Sequence, residues 1–337
     1  MCRLLLYKGK QPILLAHLLT NPAHSIINQS FDSKLRLDHR RPLNGDGFGV
    51  GWYDSEPDKE SRITPCIFTS VTPAWNNTNL VRLAEKIKSP LVFAHVRAST
   101  SGAVTEANCH PWHYGRIMWM HNGGIAEFDK IKRKLQATLP DELFLFVQGN
   151  TDSEWAFALF LSFLSNPNAD TFEHHELKHA MIKTIAQLNA WAEEAGIVEP
   201  SLLNFAVTDG ASVVCVRYTS SKTEEAASLY FSSGTRFECY RPGHYRMVKA
   251  DRREDMVVVA SEPLTFEKAD WLTIPTNNIL VITPKLNVLL QPIKDKFYTS
   301  DRGAEVKDEA ERIPEPEPES ELFKAQMRRD CRMSAVN

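Results

Sequence analysis

Thr151-Asp152-Ser153-Glu154-Trp155-Ala156-Phe157-Ala158-Leu159-Phe160-Leu161-Ser162-Phe163-Leu164 is the stretch on which the fold turns. Its first four residues have the form of a helix capping box, with Thr151 as N-cap and Glu154 reaching back. The body from Trp155 to Leu164 is apolar on almost every side, so this helix offers water no face and is expected to be buried. A second helix is expected from about Glu176 to Ala195. There Leu177, Met181, Ile185, Leu188 and Ala192 recur at helical spacing, and Gly196 marks the stop.

Both helices lie between two strand-rich regions. Before them, Cys2–Tyr7, Gly47–Tyr53, Leu91–Val96 and Ile117–Met120 are short apolar runs bounded by Gly, Pro or polar clusters, and Leu80–Lys88 reads as a short surface helix. After them come Leu203–Thr208, Ser212–Tyr218, Leu229–Ser232, Met256–Ala260, Ile279–Thr283 and Val288–Leu290. Asp209-Gly210 is a hairpin signal between the first two of these. Strands, then helices, then strands suggest two sheets with helices outside them. The expected fold class is therefore α/β (α+β), a four-layer α/β/β/α sandwich with helices outside two sheets.

The 337 residues are 43% hydrophobic and 24% charged, ordinary for a globular chain, which excludes a mainly disordered or collagen-like protein. A formal net charge of −3 gives no basic excess that would point to nucleic acid. The six cysteines are scattered without a CxxC pair and read as reduced thiols. The longest fully apolar run, Trp155 to Leu161, is far short of the ~20 residues that span a bilayer. A cytoplasmic protein with no membrane partner is expected. Between Asp301 and Glu321, nine acidic residues stand against three basic ones around a Pro-Glu repeat. Such a segment cannot bury a core. The expected division is one domain over 2–297 and an acidic, Pro-rich, disordered tail over 298–337.

The chemistry starts at Cys2. Removal of Met1 would put an α-amine, of ordinary pKa ~7.7–8.0, on the same residue as a thiol, of ordinary pKa ~8.5. The amine can then take the thiol proton, which activates the nucleophile without a separate histidine. Four further segments accompany it: Asn44-Gly45-Asp46-Gly47-Phe48-Gly49, His95-Val96-Arg97-Ala98-Ser99-Thr100, His121-Asn122-Gly123-Gly124 and Thr151-Asp152-Ser153-Glu154. Each alone is a turn, a surface cation or a helix cap. In this order they resemble the class II glutamine amidotransferases, a branch of the N-terminal-nucleophile hydrolases. The likeness is carried by motifs over roughly residues 2–165, and more weakly to about 295 through the strand pattern and Ala260-Ser261-Glu262-Pro263-Leu264.

The resemblance implies a role for each matching residue. Cys2 would be the nucleophile, with the Asn122 amide and the Gly123 N–H holding the oxyanion. Arg97 and the Thr100 hydroxyl would grip the substrate α-carboxylate, and Asp152 its ammonium group. Asp46, Gly47 and His110 would shape the site. No metal and no cofactor are implied. Cys109-His110 with His113, and His174-His175 with His179, lack the second ligand pair of a structural zinc site and read as ordinary loop or surface residues.

Asn44 stands where amidotransferase synthases commonly carry Arg, and Ala98 and Ser101 where they carry Trp and His. Nothing after residue 165 resembles a synthase domain. Lys8-Gly9-Lys10-Gln11-Pro12 and Pro42 to Gly49 look most like the amidotransferase-like subunits of fungal glutathione-degrading complexes. That implies hydrolysis of the γ-glutamyl bond of glutathione beside a metallopeptidase-like partner subunit. Release of ammonia from glutamine, or a non-catalytic scaffold that kept the fold, are the alternatives the sequence leaves open.

Overall fold

The computed structural model describes residues 2–33, 43–55, 63–99, 103–250 and 254–299. In chain order the strands are β1 (Arg3–Leu14), β2 (Phe48–Trp52), β3 (Cys66–Ser70), β4 (Lys88–Val96), β5 (Trp112–Tyr114), β6 (Ile117–Gly124), β7 (Leu202–Thr208), β8 (Val213–Arg217), β9 (Tyr230–Gly234), β10 (Arg236–Arg241), β11 (His244–Val248), β12 (Met256–Ala260), β13 (Leu272–Thr273), β14 (Asn278–Ile282) and β15 (Val288–Pro292). The α-helices are α1 (Ala16–Leu19), α2 (Ile26–Gln29), α3 (Thr78–Ala84), α4 (Phe128–Thr138), α5 (Asp141–Phe146), α6 (Asp152–Ser162) and α7 (His174–Glu194).

A seven-stranded sheet has the order β13-β9-β12-β1-β4-β2-β3, and a six-stranded sheet the order β15-β14-β8-β7-β6-β5. The pleat of β1 shows how they stack. Leu4 and Leu6 point into the layer between the sheets, where they meet Met118, Met120, Val257 and Leu280. Leu5 and Tyr7 point the other way, onto Leu18, Leu19, Ile26 and Leu80 of α1 to α3. In β6, Trp119 faces outward onto Phe157 and Phe160 of α6 and joins the core with α7. One period-two alternation thus serves two apolar layers on each sheet, and the four-layer α/β/β/α sandwich is observed.

Helix α6 lies where its composition put it, with every residue from Ser153 to Leu161 buried. Its cap differs from the expected box. The Thr151 hydroxyl accepts the Glu154 N–H (3.4 Å), but the Glu154 carboxylate accepts from Gln148 N (2.9 Å) and Gly149 N (2.7 Å) of the incoming loop. The helix expected at Leu80–Lys88 runs from Thr78 to Ala84. The Asn77 side chain caps it, and Lys88 already belongs to β4. Helix α4 was not foreseen because only Ile131 and Leu135 of its largely charged sequence are buried, too narrow an apolar stripe to stand out.

The seven-stranded sheet also holds the edge strand β3, which is half-exposed and therefore lacks a buried-strand signature. Among the described residues no helix is long and apolar enough to cross a membrane. Thr100 lies outside the described residues, and so does the tail expected at 298–337 from residue 300 onward.

Candidate active site

Cys2 immediately precedes the central strand β1, between β12 and β4. Its half-buried thiol rests on the main chain that leaves β4: the Ala98 N–H donates to Sγ (3.4 Å) and the thiol points back at the Ala98 carbonyl (3.6 Å). Burial pushes the thiol pKa up, against the Ala98 hydrogen bond and the charges of Arg97 and Arg3.

The next residue anchors the chain. Arg3 is buried and pairs with the fully buried Glu262 (2.8 Å), while its guanidinium also donates to the Cys2 carbonyl (3.0 Å). Glu262 receives His24 Nε2 (2.9 Å) and the Ser33 hydroxyl as well. Burial would raise the Glu262 carboxyl, but His24, Arg3 and Ser33 together hold it below the usual carboxylate range. The neighbouring Ser261 hydroxyl accepts from Leu4 N (3.0 Å).

Asp46 and Gly47 extend the β2–β4 pairing up to the thiol. Arg97 N donates to Gly47 O (2.8 Å), Asp46 N to Arg97 O (3.2 Å), and Ser99 N to the Asp46 carboxylate (2.7 Å). Gly47 has φ +107°, and a Cβ there would lie 2.7 Å from Cys109 Sγ and 2.9 Å from Ser70 O. The Arg97 guanidinium is held by Ala103 O (3.2 Å) and the Ser99 hydroxyl (3.3 Å). The structure thus brings Cys2, Asp46, Gly47 and Arg97 together.

Asn122 and Gly123 come from β6 in the other sheet. Asn122 is fully buried; its Nδ2 donates to the Ser261 hydroxyl (3.2 Å), and its Oδ1 has no partner among the described residues. Ser261 therefore joins the Asn122 amide to the strand that starts beside Cys2. Gly123 has φ +150°, and a Cβ would stand 1.9 Å from Leu202 O, so no other residue fits this backbone. Asp152, at the first turn of α6, accepts from Ile125 N (2.7 Å) and Ser153 N (2.8 Å).

His110 is buried between His95 (centroids 3.9 Å) and Trp112 (4.1 Å), and its Nδ1 accepts from His121 N (3.2 Å). Burial holds its pKa well below the usual imidazole value. It is a neutral prop under the strand that carries Asn122.

Two links were not expected from the sequence. One is the Arg3–Glu262 anchor. The other is His121, whose Nε2 donates to Leu202 O (3.0 Å) and whose Nδ1 meets the Ser153 hydroxyl (2.7 Å). A neutral ring that donates from Nε2 accepts at Nδ1, so the Ser153 hydroxyl donates to it. The only sequence signal was position: Arg3 follows Cys2, and Glu262, His121 and Ser153 lie inside quoted segments.

The chain matches the family described as glutamine amidotransferases class-II over residues 15–288. It belongs to that family. It is 57% identical over 311 residues to the probable glutamine amidotransferase DUG3 of Saccharomyces cerevisiae, covering 89% of this chain and 87% of that one. It is 30% identical over 126 residues, 37% of this chain and half of the relative, to the gamma-glutamyl-hercynylcysteine sulfoxide hydrolase of Mycobacterium tuberculosis. Among solved structures, a glutamine aminotransferase class-II domain protein from Silicibacter pomeroyi superposes with TM-score 0.56 at 24% identity, covering 86% of this chain and 99% of that one. The phosphoribosylpyrophosphate amidotransferase of Bacillus subtilis gives TM-score 0.50 at 14% identity, covering 87% and 49%. Both share the fold.

Proposed function

We propose that this chain hydrolyses a γ-glutamyl amide bond with Cys2 as nucleophile, and that glutathione is the substrate. The observation that carries this reading is the Cys2 thiol docked on the Ala98 main chain, next in sequence to the buried Arg97 guanidinium.

Removal of Met1 frees the Cys2 amine. The amine takes the thiol proton, and Sγ attacks the γ-carbonyl carbon. Asn122 has two amide N–H groups and Ser261 takes one; the second, with the Gly123 N–H, holds the oxyanion, each donor contributing ~3–4 kcal/mol in kcat. The C–N bond then breaks, and the ammonium group returns its proton to the leaving amine of Cys-Gly. Water, deprotonated by the same amine, cleaves the γ-glutamyl thioester and releases glutamate and the thiol.

Arg97, with Thr100, holds the α-carboxylate through parallel N–H donors. Asp152 holds the α-ammonium. Its Oδ1 accepts from Ser153 N and lies 3.2 Å from the Ser153 hydroxyl, and its Oδ2 accepts from Ile125 N, which leaves a lone pair of Oδ2 open. Asp46, Gly47 and His110 shape the site.

The mycobacterial relative, by its name, cleaves a γ-glutamyl bond to a cysteine derivative, which supports the amine of a cysteine-derived leaving group over ammonia. The catalytic domain is 2–297 and the tail 298–337 lies outside it. The chain acts in the cytoplasm beside a metallopeptidase-like partner subunit that consumes Cys-Gly. Phe31 and Trp75, edge to face at 5.8 Å and both exposed near the Asn44–Gly47 loop, suit a protein contact.

The test is to assay the chain on glutathione and on glutamine, alone and with the partner that co-purifies from extract, and to weigh the mature protein. Glutathione cleavage by protein that begins at Cys2, lost in Cys2→Ala, is expected. Turnover with Met1 retained removes the mechanism; ammonia release from glutamine alone makes the chain a glutaminase.

A further inference from the structure

Lys8 is in the wrong layer for a lysine. It follows Leu4 and Leu6 on the inter-sheet face of β1, and its cross-strand neighbours Leu91 and Val257 both belong to that apolar layer. Only 8% of it is exposed. Among the described residues its ammonium makes no hydrogen bond or ion pair, and burial pushes its pKa down, with the Asp209 charge opposing. A charge so placed is costly unless something meets it.

It lines a cavity of about 750 Å³ where the two sheets part. Lys8, Gly9 and Lys10 form one wall and the turn from β14 to β15, with Lys285 and Asn287, the opposite one. Along β1 at ~3.3 Å per residue, this is about 20 Å from Cys2.

The turn is built with strain. Leu286 has φ +65°, unfavourable for a branched side chain, and is buried in the inter-sheet layer. Its N–H is bonded to Thr283 O (2.9 Å), and Asn287 N to the Thr283 hydroxyl (3.1 Å). Plugging Leu286 into the core sets Lys285 and Asn287 at the cavity edge. Strain of this kind is kept where the surroundings require it.

The buried Asp209 acts on Lys8 only through its charge, since among the described residues it makes no hydrogen bond to the ammonium and its Oδ1 accepts from Ala211 N (3.1 Å) and Ser212 N (2.7 Å). Asp255 lies 3.9 Å from the exposed Lys10, and Glu254 is exposed at the rim. Among the described residues no aromatic ring lines the cavity, so none of them would stack on a base. The volume suits a small molecule.

We propose that this cleft is a second ligand site, which binds a compact polyanionic metabolite through Lys8, Lys10 and Lys285. The recognising chemistry is a cluster of phosphate or carboxylate oxygens. Occupancy would bridge the two sheets at the end of the sandwich away from the Cys2 site.

Titration calorimetry of the full chain with inorganic pyrophosphate, and separately with citrate, tests this. A dissociation constant at or below ~1 mM for at least one probe is expected. Binding should weaken about tenfold or more in both Lys8→Met and Lys285→Ala, and stay unchanged in Cys2→Ala. Lys8→Met places an apolar side chain in an apolar layer, so it should fold; its melting temperature checks that. Tighter binding of pyrophosphate marks a phosphorylated ligand, and tighter citrate a polycarboxylate. No binding of either probe overturns the proposal, as does unchanged affinity in Lys8→Met or loss of binding in Cys2→Ala.

Discussion

The Nδ1 of His121 and the hydroxyl of Ser153 lie 2.7 Å apart, and this bond ties the strand that carries Asn122 to the helix that carries Asp152. The two groups assigned to opposite ends of the substrate's glutamyl moiety are thus held by one buried ring. Ser153→Ala would leave Nδ1 a buried acceptor without a donor, at about 1–3 kcal/mol of stability. The expected kinetic effect is a raised KM with a smaller fall in kcat, because Asn122 keeps its Ser261 bond and its place in the β6–β7 pairing while the first turn of α6, with the proposed ammonium-binding carboxylate, loses a tie. Steady-state kinetics beside a melting curve would read both effects.

The buried histidines make stability depend on pH in a definite window. Burial lowers His95 to about 3 and also lowers His110 and His121. In the unfolded chain each titrates near ~6.5. Below that pH the unfolded chain binds protons that the folded one does not, so stability falls as pH drops from ~6.5. Each histidine contributes up to ~1.4 kcal/mol per pH unit. Glu262, held low, adds a further loss only below the ordinary glutamate value of ~4.3. Denaturant midpoints measured from pH 7.5 to 4.5 should begin to fall near 6.5; a flat profile down to pH 5 would mean the three rings are not buried as described.

Asn122 and Gly123 are adjacent, yet their substitutions should fail in different ways. Asn122→Ala removes one of the two proposed oxyanion donors and is expected to lower kcat by about 10²–10³ with a small change in KM. Gly123→Ala places a methyl 1.9 Å from Leu202 O and forces the β6–β7 pairing apart. It should give unstable protein, visible in expression and circular dichroism before any assay.

Arg97→Lys keeps the charge and loses the planar fork. Binding of γ-glutamyl compounds should weaken, with a rise in KM larger than the fall in kcat. The fold should tolerate it, since the partners of the guanidinium, Ala103 O and the Ser99 hydroxyl, are at the edge of the site. The opposite split would show that Arg97 acts on the reacting carbonyl.

Most of the sandwich could be read in the residues because buried strands and a helix apolar all round leave strong local patterns. Trp155–Leu161 announced α6, and Val257–Val259 and Leu91–Phe93 announced central strands. What could not be read locally was half-buried or paired across long sequence distances. β3 has one mild face, α4 only two apolar anchors, and β10 and β11 carry Arg and Glu outward. At the site, the quoted segments contained every candidate residue, but the links between them did not follow from spacing. Arg3 meets Glu262 across 259 positions, and Asn122 meets Ser261 across 139. The Glu154 carboxylate went to Gln148 and Gly149 because two main-chain donors of the loop outweigh one at the cap.

The position of Cys2 at the head of a central strand has a practical meaning for anyone who makes this protein. Arg3 is locked to Glu262 and its guanidinium also holds the Cys2 carbonyl, so the fold fixes Cys2 at the head of β1. On the proposed mechanism, an affinity tag placed ahead of Cys2 would bury the amine in a peptide bond and give folded protein that turns nothing over. Purification handles belong after residue 299, or behind a protease that leaves cysteine as the first residue.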